Sequence, residues 1–282
     1  IETPGVTLQG TGDERPTINP ANNDTAVEVE AGGVTLQGLV LEGDGSETAV
    51  VAGDSTTLRS VSIDRWDTGI ESASGELTTE NVRITNVETG AVIASDDASE
   101  LAYTTIRATD TGVLVTGEDA TLRDSVVTGA GTGIDVIGVD EDPLDVERTT
   151  VRGNTLGLRA LNVPEDRLDI SVNNSNLESN ELSVLADNST IDATDNWWGS
   201  ARGASPGDTL ARSSVITGDA LDSRSDSDFV VAVGDSSPAL TNGSLERGEP
   251  YTIPVDVTNN GTKGDTQEIA LDIDGGPTVS AQ

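Results

Sequence analysis

The hexapeptide GVTLQG, residues Gly5–Gly10, returns unchanged at Gly33–Gly38. Looser copies follow it: TTLRSVSI, ELTTENVRI, ELAYTTIRA, ATLRDSVVT, LDVERTTVR and DISVNNSNL. Aligned on the leucine of the hexapeptide they form a column of Leu8, Leu36, Leu58, Thr79, Leu101, Leu122, Val146, Val172 and Ile191. From Leu36 to Leu122 the steps are 22, 21, 22 and 21 residues. Three and five residues further on comes a second pair in each repeat: Leu39/Leu41, Val61/Ile63, Val82/Ile84, Thr104/Ile106, Ser125/Val127, Thr149/Val151 and Ser175/Leu177. A third column reads Val27, Val50, Ile70, Ala91, Val113, Ile134, Leu158 and Val184. Gly69, Gly90, Gly112, Gly133 and Gly157 immediately precede it. They are expected to supply the positive φ of a sharp corner.

Within each column apolar and polar residues alternate, the period of a half-buried strand, and no segment sustains a helical period. A unit of about 22 residues with three short strands is one coil of a parallel β-helix. One coil cannot bury its apolar face, whereas stacked coils rising about 4.8 Å each make a continuous core. Stacked Val, Ile and Leu fill so narrow an interior without aromatic residues. A leucine-rich repeat has a similar length, but its asparagine signature and helical side are missing. The expected fold is all-β: about eight to nine coils of β-helix over residues 1–208, a linker at 209–226, and a second β unit at 227–282.

Composition narrows the chemistry. The 282 residues carry 50 acidic and 15 basic side chains, a net charge of −35, and only Lys263 among the basic residues is not arginine. Nucleic acid and anionic membrane surfaces are poor partners for such a chain, because phosphate contacts need clustered Lys and Arg. Lysine depletion with acidic excess resembles the proteins of extreme halophiles. In molar salt the Debye length falls to about 3 Å and dense carboxylates cease to repel over distance. There is no Cys, His or Met, which removes thiol chemistry, Cys/His zinc sites, histidine triads and soft copper sites. No apolar run approaches the roughly 18 residues of a membrane-spanning helix. No signal peptide is visible; the chain opens within a repeat, as a mature or trimmed product would. Five Asn-X-Ser/Thr sequons, at Asn23, Asn173, Asn188, Asn242 and Asn260, fit an exported, glycosylated protein.

Two of the three tryptophans, Trp197 and Trp198, stand together in ATDNWWGSARGAS, Ala193–Ser205, where the repeat stops. A tryptophan pair can be a sugar-binding platform or a plug. An uncapped solenoid end invites pairing, so the position favours a structural cap made of both rings. Trp66, in the turn DRWDTG, is expected to be a lone side chain shielding the wall.

The VTLQG…DTG coils and the terminal NWWGSARGAS resemble the right-handed parallel β-helix proteins of the NosD-like and pectate-lyase-like superfamily. They are especially similar to surface β-helix proteins of halophilic archaea. Gly203-Ala204 stands where that group more often has Gly-Pro. The resemblance spans about Ile1–Asp208 and implies the right hand of the helix. From Phe229, the stretches FVVAV, YTIPVDV and EIALDID alternate again, with Tyr251, Ile253, Val255 and Val257 on one side and Ile269, Leu271 and Ile273 repeating the device. This stretch resembles a CARDB-type, immunoglobulin-like sandwich, but a sandwich needs about seven strands in about 100 residues, so it reads as a partial one. Unfinished edges at both ends suggest head-to-tail assembly into a filament, or a longer precursor.

For chemistry, two acidic clusters stand out in loops between coils: Asp96-Asp97 and Asp140-Glu141-Asp142. Oxygen ligands of this kind suit Ca²⁺ or Mg²⁺, although no cofactor is required and solvated loop charge is the favoured reading. Arg59 and Arg123 interleave with Glu80 and Glu147 in one outward column, and Arg107 and Arg152 share another with Glu42 and Asp64. That arrangement reads as cross-strand salt pairing rather than catalysis. No catalytic residues are assigned. The expectation is a noncatalytic, extracellular or cell-surface glycoprotein with a structural or adhesive role, associating with itself, other surface proteins or glycans, as a filament or envelope subunit. The alternative is a polysaccharide-acting lyase, hydrolase or epimerase, or a carbohydrate-binding module, on the same β-helix.

Overall fold

The computed structural model describes residues 1–11, 15–20, 25–139, 144–163, 170–200, 202–204, 209–211, 214–217 and 221, together with strands Phe229–Val233, Val255–Asn259, Ile269–Leu271 and Val279–Ala281. The chain is a parallel β-helix, and none of its described residues is helical. The first strands of successive coils form one ten-stranded parallel sheet, and the second and third strands form a fourteen-stranded one. No helix among the described residues is long and apolar enough to cross a membrane.

The columns read from the sequence are the register of these sheets. Leu8 pairs with Leu36, Leu36 with Leu58, Leu58 with Thr79, and so on to Val172. Leu41, Ile63, Ile84, Ile106, Val127, Val151 and Leu177 stack in turn. The third column runs unbroken from Val27 to Val184. The last rung of the first column differs: Ile191 lies opposite Ile170, not Val172. A slip of two residues keeps the same side chains facing inward, so alternation alone cannot detect it.

Three further expectations are corrected. In three coils the second and third strands are continuous, as Ser62–Ser72, Arg83–Ile93 and Thr105–Val115, bending through the corner as single strands. The glycines before the third column do not have positive φ. They are there because a side chain would collide: a Cβ on Gly90 would lie 2.3 Å from the Gly112 carbonyl oxygen, and one on Gly112 equally close to that of Gly133. The left-handed corner is instead the turn from first to second strand, occupied by Gly38, Ser60, Asn81, Tyr103, Asp124, Arg148, Asn174 and Asp195. Finally, Trp66 is inside the core, 2% exposed, on the long second-to-third strand. Its indole Nε1 donates to the Leu41 carbonyl at 3.2 Å, and its ring occupies the space that a side chain on Gly43 would fill.

The interior is not purely apolar. Leu39, Val61 and Val82 give way in the same column to Thr104, Ser125, Thr149 and Ser175, all buried. Each backbone N–H in this series donates to the hydroxyl one coil above: Thr104 to Ser125, Ser125 to Thr149, and Thr149 to Ser175. Each of these three hydroxyls in turn donates to a main-chain carbonyl. At the next corner Asn154 and Asn180 do the same with amides: the Ala130 N–H donates to Asn154 Oδ1 and the Asn154 N–H to Asn180 Oδ1, each at 3.0 Å. Buried backbone donors that the sheets leave unpaired are thus satisfied from the neighbouring coil.

Both sheets continue past residue 208. Thr209–Ala211 pairs with Leu182–Asp187, and Ser214–Ile216 pairs with Thr190–Asp192, so two strands lie within the stretch expected to be a linker. Further on, Phe229–Val233 and Val255–Asn259 pair antiparallel, as do Ile269–Leu271 and Val279–Ala281. Most of the proposed sandwich, including Tyr251 and Ile253, lies outside the described residues.

Close glycine stacking makes a direct prediction. Gly90→Ala or Gly112→Ala should lower stability by about 1–3 kcal/mol through overpacking. Gly138→Ala, at φ +63° with nothing within 4 Å of the added Cβ, should cost only about 1 kcal/mol of backbone strain. Thermal melts of the variants should rank in that order.

Candidate functional site

The element NWWG continues the internal columns. Trp197 bridges to Asn176 in parallel, which places Asn196 above Ser175 and Trp198 above Leu177. Asn196 is fully buried and completes the hydroxyl ladder: its Oδ1 accepts the Ser175 N–H at 2.8 Å and its amide donates to the Val172 carbonyl. Trp198, 5% exposed, belongs to the core. Trp197 points outward and is half-buried, its Nε1 donating to Glu178 at 2.9 Å. Of the two rings expected to form a structural cap, Trp198 is in the core and Trp197 lies on the outer wall. Strict alternation dictates this, since adjacent residues of a strand face opposite ways.

Trp197 ends an outward column on the second strands that contains Ser62, Arg83, Thr105, Val126, Thr150 and Asn176. Beside it runs a second outward column: Glu42, Asp64, Thr85, Arg107, Thr128, Arg152 and Glu178. The acidic end of this face is occupied by its own partners. Arg65 pairs with Glu42 and, at 3.8 Å, with Asp64. Asp64 also accepts from the Thr85 hydroxyl at 2.8 Å and the Asn86 amide at 2.7 Å. The middle is different. Arg83 and Arg107 are exposed and make no ion pair among the described residues; Arg83 lies in register with Ser62 and Thr105, and Arg107 with Thr85 and Thr128. In a chain of net charge −35 this is a cationic, hydroxyl-rich strip.

Along its border lies an open groove of about 370 Å³, lined by Thr109, Gly129, Ala130, Gly131, Gly153, Asn154, Thr155, Ser179 and Glu181. Gly129, Gly131 and Gly153 contribute no side chains to this groove. At the corner between second and third strands, Asp67, Glu88 and Asp110 occupy successive coils. Asp67, hydrogen-bonded to Glu88, holds the Glu88 carboxyl above its ordinary range, with Asp110 adding to the effect.

The corner between first and second strands carries an ionic chain. Arg123 pairs with Glu100 and, at 3.2 Å, with Asp124; Arg148 pairs with Asp124 at 2.8 Å and with Glu147. Arg148 foremost, then Arg123, holds the Asp124 carboxyl below its ordinary range against a partial burial that works the other way. The expected Arg59–Glu80 pair forms at 3.2 Å, but Arg123 engages Glu100 rather than Glu147. On the third strands, Arg159 grips the buried Asp135 through two hydrogen bonds.

Other expected positions are placed as follows. Asp97 lines a second groove of about 270 Å³ with Asp54, Ser55, Gly75, Glu76 and Ala98. Among the described residues no group of three or more acidic side chains is disposed to hold a metal ion. Asp140, Glu141 and Asp142 lie outside the described residues, as do Asn23, Asn242 and Asn260. Asn188 is exposed at a left-handed turn. Asn173 is half-buried, its amide donating to Ser171 and accepting from Thr194.

Two measurements follow. Trp198→Ala should cost about 3–5 kcal/mol and Asn196→Ala about 1–3 kcal/mol, by stranding the Ser175 N–H; Trp197→Ala should shift the melt much less. Glu88 titrates with a raised folded-state pKa, so its contribution is fully present below the ordinary carboxylate pKa and is lost as pH rises through the raised value. Glu88→Gln should flatten that part of the stability–pH curve, and an unchanged curve would exclude the coupling.

No family model matches the chain, and no curated protein matches it in sequence. Among solved structures, the fold is similar to the A-module of the Azotobacter vinelandii mannuronan C-5 epimerase AlgE6. The TM-score is 0.51 at 16% identity, covering 77% of this chain and 68% of that one. The pectate lyase Pel9A aligns at a TM-score of 0.33 and 11% identity, over 68% of this chain and 70% of that one. The likeness to the epimerase module is one of fold, a parallel β-helix.

Proposed function

We propose that this β-helix engages a polysaccharide, and that its ligand lies along the second-strand face across the groove. The observation that carries this reading is the strip of Arg83 and Arg107 among in-register threonines, on a protein otherwise dense in carboxylates. Exposed guanidinium groups bind carboxylates and sulfates in a bidentate manner, and threonine hydroxyls donate to and accept from sugar hydroxyls. The face is long, open and regular, which suits a polymer rather than a small molecule. The ligand class is therefore an anionic polysaccharide. Likeness of fold to a polysaccharide-modifying epimerase module agrees with this reading.

Binding is the first reading, because the strip offers groups that hold and orient a polyanion. Polysaccharide cleavage or epimerisation is the second, for which the neighbouring Asp67 and Glu88 carboxyls, the latter with its pKa raised by the former, are the candidate acid–base groups. A cell-surface setting belongs to the same proposal, supported by the acidic composition and by the exposed sequon at Asn188.

Affinity electrophoresis in gels containing mannuronan or a neutral β-glucan tests the proposal. Retardation by mannuronan alone is expected. It should fall about tenfold or more in Arg83→Ala/Arg107→Ala, with salt dependence reduced accordingly. No retardation by either polymer would sink the reading. New reducing or unsaturated ends in the mannuronan, lost in Glu88→Gln, would move the assignment from binding to catalysis.

A further inference from the structure

We infer that Tyr103 is the aromatic platform of this face, the residue on which a ring of the bound polysaccharide stacks; the inference rests on the polysaccharide reading above. Trp66 and Trp198 are in the core, and Trp197 is half-buried with its N–H donating to Glu178. Tyr103 is 52% exposed, the most exposed large hydrophobic side chain among the described residues. It stands at the corner two residues before Thr105, whose register partner is Arg83, and four before Arg107. The ring therefore borders the cationic strip.

Two features set Tyr103 apart from an incidental surface residue. Its φ is +49°, a left-handed conformation that costs a bulky L-residue about 1–2 kcal/mol. At the same corner other coils use Gly38, Ser60, Asn81, Asp124, Arg148, Asn174 and Asp195; Tyr103 is the one aromatic residue in that series, and Gly, Asn and Asp tolerate the conformation better. The ring is also held: the Arg123 guanidinium sits 5.4 Å from its centroid, and Arg123 is itself fixed by Glu100 and Asp124, with Asp124 fixed in turn by Arg148. One face of the phenol is thus packed on a cation, which holds the ring at the corner that leads into the strip. An aromatic plane beside guanidinium groups suits a pyranose ring bearing a carboxylate or sulfate. The plane takes the apolar C–H face, and the arginines take the charge.

Wild type, Tyr103→Phe, Tyr103→Ala and Tyr103→Asn should be compared for mannuronan affinity and thermal stability. Phe should bind like wild type. Ala and Asn should bind roughly three- to tenfold more weakly, while Asn melts no lower than wild type because it accepts the left-handed turn. A loss of affinity that tracks a fall in melting temperature across the series would overturn the inference in favour of a structural role. Unchanged affinity in Tyr103→Ala, with affinity lost in Arg83→Ala/Arg107→Ala, would overturn the platform and leave the binding face standing. A wild-type protein that binds no mannuronan would remove both.

Discussion

Every coil of this rod hands its backbone hydrogen bonds to the next coil, and the whole structure depends on that exchange being complete. Along the straight strands the parallel ladder does this without help from side chains. At the corners the chain turns and the ladder lapses, so buried donors would be left without partners, at about 1–3 kcal/mol each. The hydroxyls of Ser125, Thr149 and Ser175, and the amides of Asn154, Asn180 and Asn196, are the answer at those corners. All but the half-buried Asn180 are buried deeply enough to look like core positions, and each receives a donor from the coil below.

The same exchange explains the glycine stack and the tryptophan end. Coils that share hydrogen bonds approach closely, and at the Thr-Gly corner they leave no room for a Cβ between successive carbonyls. At the last rung of the second-strand columns, Asn196 lies over the hydroxyl ladder and Trp198 over the apolar column, two residues apart in the chain. Trp197 lies between them and faces outward, which joins it to the outer face.

That outer face is where function is sought, and it was the least legible part of the chain. Arg107 and Arg152 were visible in one column with Glu42 and Asp64, and alternating charge suggested mutual pairing. The fold pairs Glu42 with Arg65 instead and loads Asp64 with Thr85 and Asn86, which leaves Arg107 exposed. Arg83 and Tyr103 carried no signal at all. Their importance lies in which neighbours the corner brings to them, and that geometry depends on a left-handed residue at a position where glycine is not required. The groove likewise is lined by small residues, Gly129, Gly131, Gly153 and Ser179 among them, that come together only once the coils are in register.

The sequence by itself determined the architecture, because a period of about 22 residues with inward alternation admits one way of burying its apolar columns. The register from Leu8 to Val172 and from Val27 to Val184 followed residue by residue, since a one-residue slip would turn every core side chain outward. Tertiary structure decided everything alternation is blind to. A two-residue slip at Ile191 preserves the pattern, so only the pairing with Ile170 reveals it. Whether a glycine serves φ or closeness depends on the distance to the coil above. Whether an arginine is paired or left for a ligand depends on lateral neighbours many residues away in the chain, whose carboxylates reach it only across the 4.8 Å or so between rungs.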